Sequence, residues 1–165
     1  MGGCLMRGGP MVDSLDDAHW FDVARLELPD GRIARIQEAW IRLSPRYVCF
    51  YNKWDPGAIT PRHGHHGDHS ILVVKGQVSD GIHVCGPGSH IMLEYGDTFG
   101  PWEAGPEGCE MYGVIMGVGH PFMDKAEWRA YLAGRGIVEH PCPPPPLPAW
   151  SAGMNVLPAD ATASN

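Results

Sequence analysis

Residues 61–70 read PRHGHHGDHS and place four of the nine histidines of the chain, His63, His65, His66 and His69, within seven positions. A strand over residues 59–66 would turn His63 and His65 to one face, because side chains alternate along a strand, and would turn His66 to the other. Gly67 and Asp68 then supply turn chemistry that brings His69 onto the start of the next strand, beside the first pair. Three imidazoles converging from two adjacent strands are a candidate metal site. Neutral imidazole suits Fe, Zn, Ni and Cu, and three ligands leave coordination positions open for water, dioxygen or a substrate. The competing reading of the same residues is a solvated, histidine-rich loop.

Working outward, Gly (22) and Pro (16) recur between short runs rich in Val, Ile and Tyr, the pattern of short strands joined by tight turns. Strands are predicted over 32–39, 47–54, 70–78, 81–85, 90–95 and 110–116, with turns at 29–31, 55–57, 79–81 and 86–88. An antiparallel, all-β sandwich or barrel follows. Asp124 is placed to cap a helix ending near 133, with Trp128, Tyr131 and Leu132 at helical spacing and Gly134 and Gly136 beyond it. A weaker helical pattern runs over 15–24. After Glu139 the sequence becomes HPCPPPPLPAW, whose prolines exclude sheet and favour an extended tail that either straps across the barrel surface through Leu147 and Trp150 or docks on a neighbouring subunit. The expected organisation is a flexible arm over 1–14, one domain over 15–139 with its core at 45–119 and a helix at 124–133, and an extended tail over 140–165.

At 165 residues the chain can bury a core without disulfides. A net charge of −7 with 19% charged residues provides no basic field for a phosphate backbone, so nucleic acid is not an expected partner. The five cysteines are scattered and odd in number, which argues against a disulfide framework and for a cytoplasmic setting. No apolar run has the length of a signal peptide core or a membrane span, so no membrane role is expected.

Gly57, five residues, His63-x-His65, three residues, His69, six residues and Gly76 together resemble the first motif of the cupins, whose usual form carries glutamate where this chain has His69. Pro61 also falls where cupins often place a proline. The resemblance, to small single-domain cupins, implies a jelly-roll β-barrel with a metal ion in its mouth. It carries ligand roles onto His63, His65 and, by position, His69. The second cupin motif fits less well. Aligning Gly88 and Gly96 to it leaves Glu94 at the proline position and Phe99 at the position of the last histidine ligand. An alignment from Gly96 and Asp97 puts Glu107 there but leaves too little chain for the closing strands. On the first alignment His69 compensates for the lost ligand, and Phe99 forms an apolar wall.

Other residues are candidates around this centre. His90, Met92 and Glu94 share one face of their strand; facing inward, Glu94 or His90 would be a ligand or general base, and facing outward they would be solvated. Water is the other candidate for the fourth ligand. Asp68 is either a partner to an imidazole or a turn former. Arg62 is a candidate for holding an anionic substrate group, and Tyr51, Trp102 and Tyr112 join Phe99 as candidate walls of a substrate pocket.

The resemblance implies a metal-dependent enzyme acting on a small molecule, foremost an Fe(II)-type dioxygenase that cleaves a carbon bond. A lyase or isomerase using Zn, Mn or Ni fits the same ligands, and the altered second motif leaves room for a non-catalytic, ligand-binding or sensor barrel. A homodimer is implied in the same way.

Overall fold

The computed structural model describes residues 10–117, 121–145 and 147. A 3-10 turn, Leu15–Asp17, is capped by Ser14, whose hydroxyl accepts the Asp16 amide. Two long strands follow, β1 (Trp20–Glu27) and β2 (Ile33–Leu43), then β3 (Tyr47–Trp54) and the short β4 (Ile59–Thr60) and β5 (His63–His65). Next come β6 (His69–Ser79), β7 (Val84–Cys85), β8 (His90–Leu93), β9 (Thr98–Phe99), β10 (Trp102–Met116) and β11 (Pro121–Met123). Helix α1 (Lys125–Gly134) and β12 (Val138–His140) close the described part.

The strand pairings are antiparallel throughout. The main sheet runs β12-β1-β2-β3-β10-β6-β7, with β4 on β10 and β8 on β6, and the second runs β11-β5-β9. Residues alternate between the two faces, so the inward set Ile36, Phe50, Trp54, Val73, Met111 and Ile115 forms the principal core. Their register sorts the interior into layers. Glu38, Asn52, Met111 and Val73 make one; Trp40, Phe50, Gly113 and Ile71 the next; Val48, Ile115, His69 and Leu93 the third.

A second cluster lies where α1 packs its Trp128 and Leu132 on Leu26, Ile59 and Ile137. Asp124 caps this helix by accepting the amides of Ala126 and Glu127. Among the described residues no helix is long and apolar enough to cross a membrane.

Several expectations need correction. The helix predicted over 15–24 is only the three-residue turn, after which the chain enters β1: Ala24, Leu26 and Leu28 have the period of a strand, and β2 satisfies the backbone. The single strand predicted over 59–66 is two. Pro61 cannot donate to a ladder, and the chain passes there from the main sheet into the smaller one. The strand predicted over 81–85 shortens because Asp80 accepts the amides of Ile82 and His83 in a turn. Conversely, β10 begins well before 110, carrying Gly105 and Pro106 through an irregularity between Ala104 and Cys109. The tail predicted from residue 140 starts inside β12, where His140 pairs with Arg25. Residues 1–9 of the predicted arm, and Trp150 with the end of the predicted tail, lie outside the described residues.

Candidate functional site

Strand β5 is held between β9 and β11, with His63 opposite Phe99 on one side and Met123 on the other. The residue between its two histidines has no room for a side chain: a Cβ on Gly64 would lie 2.2 Å from the Asp97 carbonyl oxygen. His63 and His65 rings stand 5.2 Å apart, centroid to centroid, at 77°. His69, at the head of β6, brings its ring to 4.7 Å from that of His65 at 81°. Imidazoles sharing one ion at about 2.1 Å from each nitrogen have ring centroids about 5 Å apart, so both pairs have the spacing of a ligand set.

The protonation of His63 and His69 also suits ligation. The Nδ1 of His63 lies 2.9 Å from the Pro61 carbonyl, which can only accept, so Nδ1 carries the proton and Nε2 has its lone pair free. Burial lowers the His63 pKa, against the opposing pull of that carbonyl. His69 is 4% exposed, and its pKa falls well below the ordinary value through burial and then through the neighbouring His65 and His63. Both of its ring nitrogens are buried without a hydrogen-bond partner. A buried polar ring in that state lacks a partner it is built to meet.

Among the described residues no three His, Cys, Asp or Glu side chains are already set as a group that could hold a metal ion.

Aromatic rings cover the histidines. Phe99 lies 4.5 Å from His63 and 5.7 Å from His69, with Trp102 behind it at 6.1 Å. From below, Phe50 meets His69 edge-on at 5.5 Å, a position open because Gly113 leaves space where a Cβ would come within 2.2 Å of the Phe50 ring.

The fold matches solved structures over most of the chain. An acetylacetone dioxygenase from Acinetobacter johnsonii superposes with a TM-score of 0.54 at 15% identity, covering 82% of this chain and 99% of that one. An RmlC-like cupin from Shewanella frigidimarina gives 0.50 at 16% identity, covering 68% and 95%. The chain has the cupin fold. No family model and no curated protein sequence matches it. At such identities the likeness is one of fold, and the chemistry has to be read from this chain's own residues.

The other candidates divide sharply. Phe99 touches the histidines, and Trp102 is buried behind it with its indole nitrogen unpartnered. Glu94 does not reach them: Leu93 is the inward residue at that end of β8, and Glu94 is exposed on the following turn, its amide donating to Asp97. His90 and Met92 share the outer face, His90 bonding Ser70. Arg62 is exposed and donates to the Thr98 hydroxyl. Tyr51 and Tyr112 do not line the interior, because Phe50 and Gly113 take the inward phase. Tyr51 instead donates to Glu110 on the outside. Asp68 accepts the Tyr95 amide as a turn residue, and His66 packs against Phe122 and Tyr95.

One polar interior residue escaped the sequence reading. Glu38 faces inward opposite Asn52, and burial raises its carboxyl to about 7, against hydrogen bonds from Trp40 and Asn52 that lower it. The signal was the phase of Ala34, Ile36 and Glu38 along β2, which puts a carboxylate in line with two fully buried residues.

Proposed function

We propose that this cupin is a metal-dependent enzyme acting on a small molecule, with His63, His65 and His69 as the metal ligands. The observation that carries the reading is His69, buried with two unpartnered ring nitrogens and flanked by a second imidazole at 4.7 Å. Without an ion, that arrangement is a cost to the fold. An Fe(II)-type ion would supply a redox-active Lewis acid with open positions for substrate and dioxygen, which makes carbon-bond cleavage by a dioxygenase the leading reaction. Within this frame His63 is fixed in its tautomer by Pro61, so its free nitrogen is presented without rearrangement of protons. Phe99 and Phe50 keep water from the rings, and Trp102 backs Phe99.

A second reading, a ligand-binding barrel without catalysis, is favoured by Phe99 standing where the second cupin motif has its last histidine. Metal content separates the two. The purified wild-type protein is expected to hold a stoichiometric divalent ion, and the double variant His63→Ala, His65→Ala to hold none; equal metal in both sinks the enzyme reading. Oxygen uptake by iron-loaded protein over a panel of diketones, hydroxylated aromatics and thiols then tests the reaction. Turnover that proceeds equally well without oxygen would replace the dioxygenase with a lyase or isomerase.

A further inference from the structure

Glu38 lies one inward layer beyond Trp40 and Phe50, and Phe50 in turn meets His69. Its carboxyl already accepts the Trp40 indole N–H and a hydrogen bond from Asn52. The Asn52 side-chain oxygen is buried with no partner at all. With the carboxyl ionised, the pair therefore presents spare acceptors and a shortage of donors. No cation compensates the acid from the neighbouring strands. Arg35 pairs with Asp55, and Lys53 sits over the Trp20 ring; both are exposed. Asp22, the nearest other acid in the register, bonds Gln37 on the face opposite Glu38. The walls are aromatic: Phe21 meets Trp40 edge-on at 5.0 Å, and Phe50 is directly opposite Trp40 across the strands.

Acceptors without donors, a carboxyl without a counter-charge and aromatic rings around them are the complement of a positively charged N–H group. We propose that Glu38 and Asn52, walled by Trp40, Phe21 and Phe50, bind the ammonium group of a small molecule inside the barrel. This deepens the proposed function by naming a substrate class, and it rests on that reading in taking the interior as the ligand chamber. Burial raises the Glu38 carboxyl to about 7. A bound ammonium favours the carboxylate, so binding near that pH releases a proton.

The test is calorimetric titration of the full-length protein with n-butylamine, n-butanol and sodium butyrate, each with metal-loaded and with chelator-treated protein. Two buffers of different ionisation enthalpy report the proton. Butylammonium is expected to bind at least tenfold more tightly than either analogue, with proton release. The substitution Glu38→Gln, which keeps the shape and an acceptor for Trp40, is expected to weaken it at least tenfold and to abolish the release. Asn52→Leu is expected to weaken it severalfold. Circular dichroism and metal content should match the wild type in Glu38→Gln, which separates a lost site from a lost fold. Equal binding of butanol, undiminished binding by Glu38→Gln, or no binding of the amine overturns the proposal. Amine binding in a protein that holds no metal would sink the metalloenzyme and leave this site standing; metal without amine binding does the reverse.

Discussion

His69 sits between Ile115 and Leu93 with both ring nitrogens unbonded, whereas Glu38, two inward layers away, shares its carboxyl with Trp40 and Asn52. The layers are separated by about 13 Å along β3, taking about 3.3 Å for each residue between Val48 and Asn52. Both groups lose water, and desolvation disfavours whichever form is charged. For the imidazole that means losing a proton and exposing a lone pair. For the carboxyl it means keeping one. The same burial thus prepares one level of the interior to meet a metal ion and the other to meet an ammonium, and the two should respond to pH in opposite senses.

A large effect on stability is expected at Glu38. Its carboxyl ionises at about 4.5 in the unfolded chain and at about 7 when folded. As pH rises between those values the unfolded form loses a proton that the folded form retains, so stability falls. Above the folded value the loss is complete. At about 1.4 kcal/mol for each tenfold change in proton affinity, it amounts to about 3 kcal/mol. Urea unfolding at pH 5 and pH 8 should show wild type losing most of that amount relative to Glu38→Gln. Parallel curves for the two proteins would mean that Glu38 is hydrated and the comparison fails.

An effect of opposite sign is expected at His69. Its folded pKa lies well below the ordinary value, so lowering the pH of the metal-free protein through about 6.5 protonates the unfolded chain first, and stability falls with the pH. His69→Leu removes that dependence. It also removes two buried, unpartnered nitrogens, which should raise the stability of the metal-free protein at pH 7 by about 1–2 kcal/mol. With metal supplied the order should reverse, because only the wild type gains from binding. A variant less stable than wild type in both conditions would show that the ring is satisfied in the apo fold.

What could be read from the chain follows from this contrast. Strand and turn chemistry was explicit wherever apolar alternation ended in a glycine turn, as in β3, and Asp124 announced its helix through the apolar spacing behind it. The histidines were conspicuous because four imidazoles in seven positions are improbable by composition. Glu38 was not, since one glutamate in a strand is ordinary, and only the phase of Ala34 and Ile36 marks it as inward. Phase also misled. Tyr51 and Tyr112 are aromatic residues of central strands, yet a shift of one residue sends a side chain to the opposite face, and Phe50 and Gly113 hold the inward positions. Glu94 was lost in the same way, one residue past the inward Leu93. In β10, Gly105 and Pro106 look like loop residues, and they lie in the irregularity between Ala104 and Cys109, with the ladder to β6 formed on either side of them.

The smallest expected effect tests whether the two interior levels are isolated from the rest of the fold. Helix α1 packs on Leu26, Ile59 and Ile137, a cluster separate from the core that holds Phe50 and Ile71. Its cap, Asp124, has its pKa lowered by the Glu127 and Ala126 amides, so the stability it adds is present above the unfolded carboxyl value and fades as the pH falls through the folded one. Asp124→Ala should lower the melting temperature at pH 7 by a few degrees. It should leave the Glu38-dependent loss between pH 5 and 8 and the His69-dependent loss below about 6.5 where they were. Movement of either would show that the cap is coupled to the electrostatics of the interior, and the opposing pH responses could then no longer be assigned to His69 and Glu38 separately.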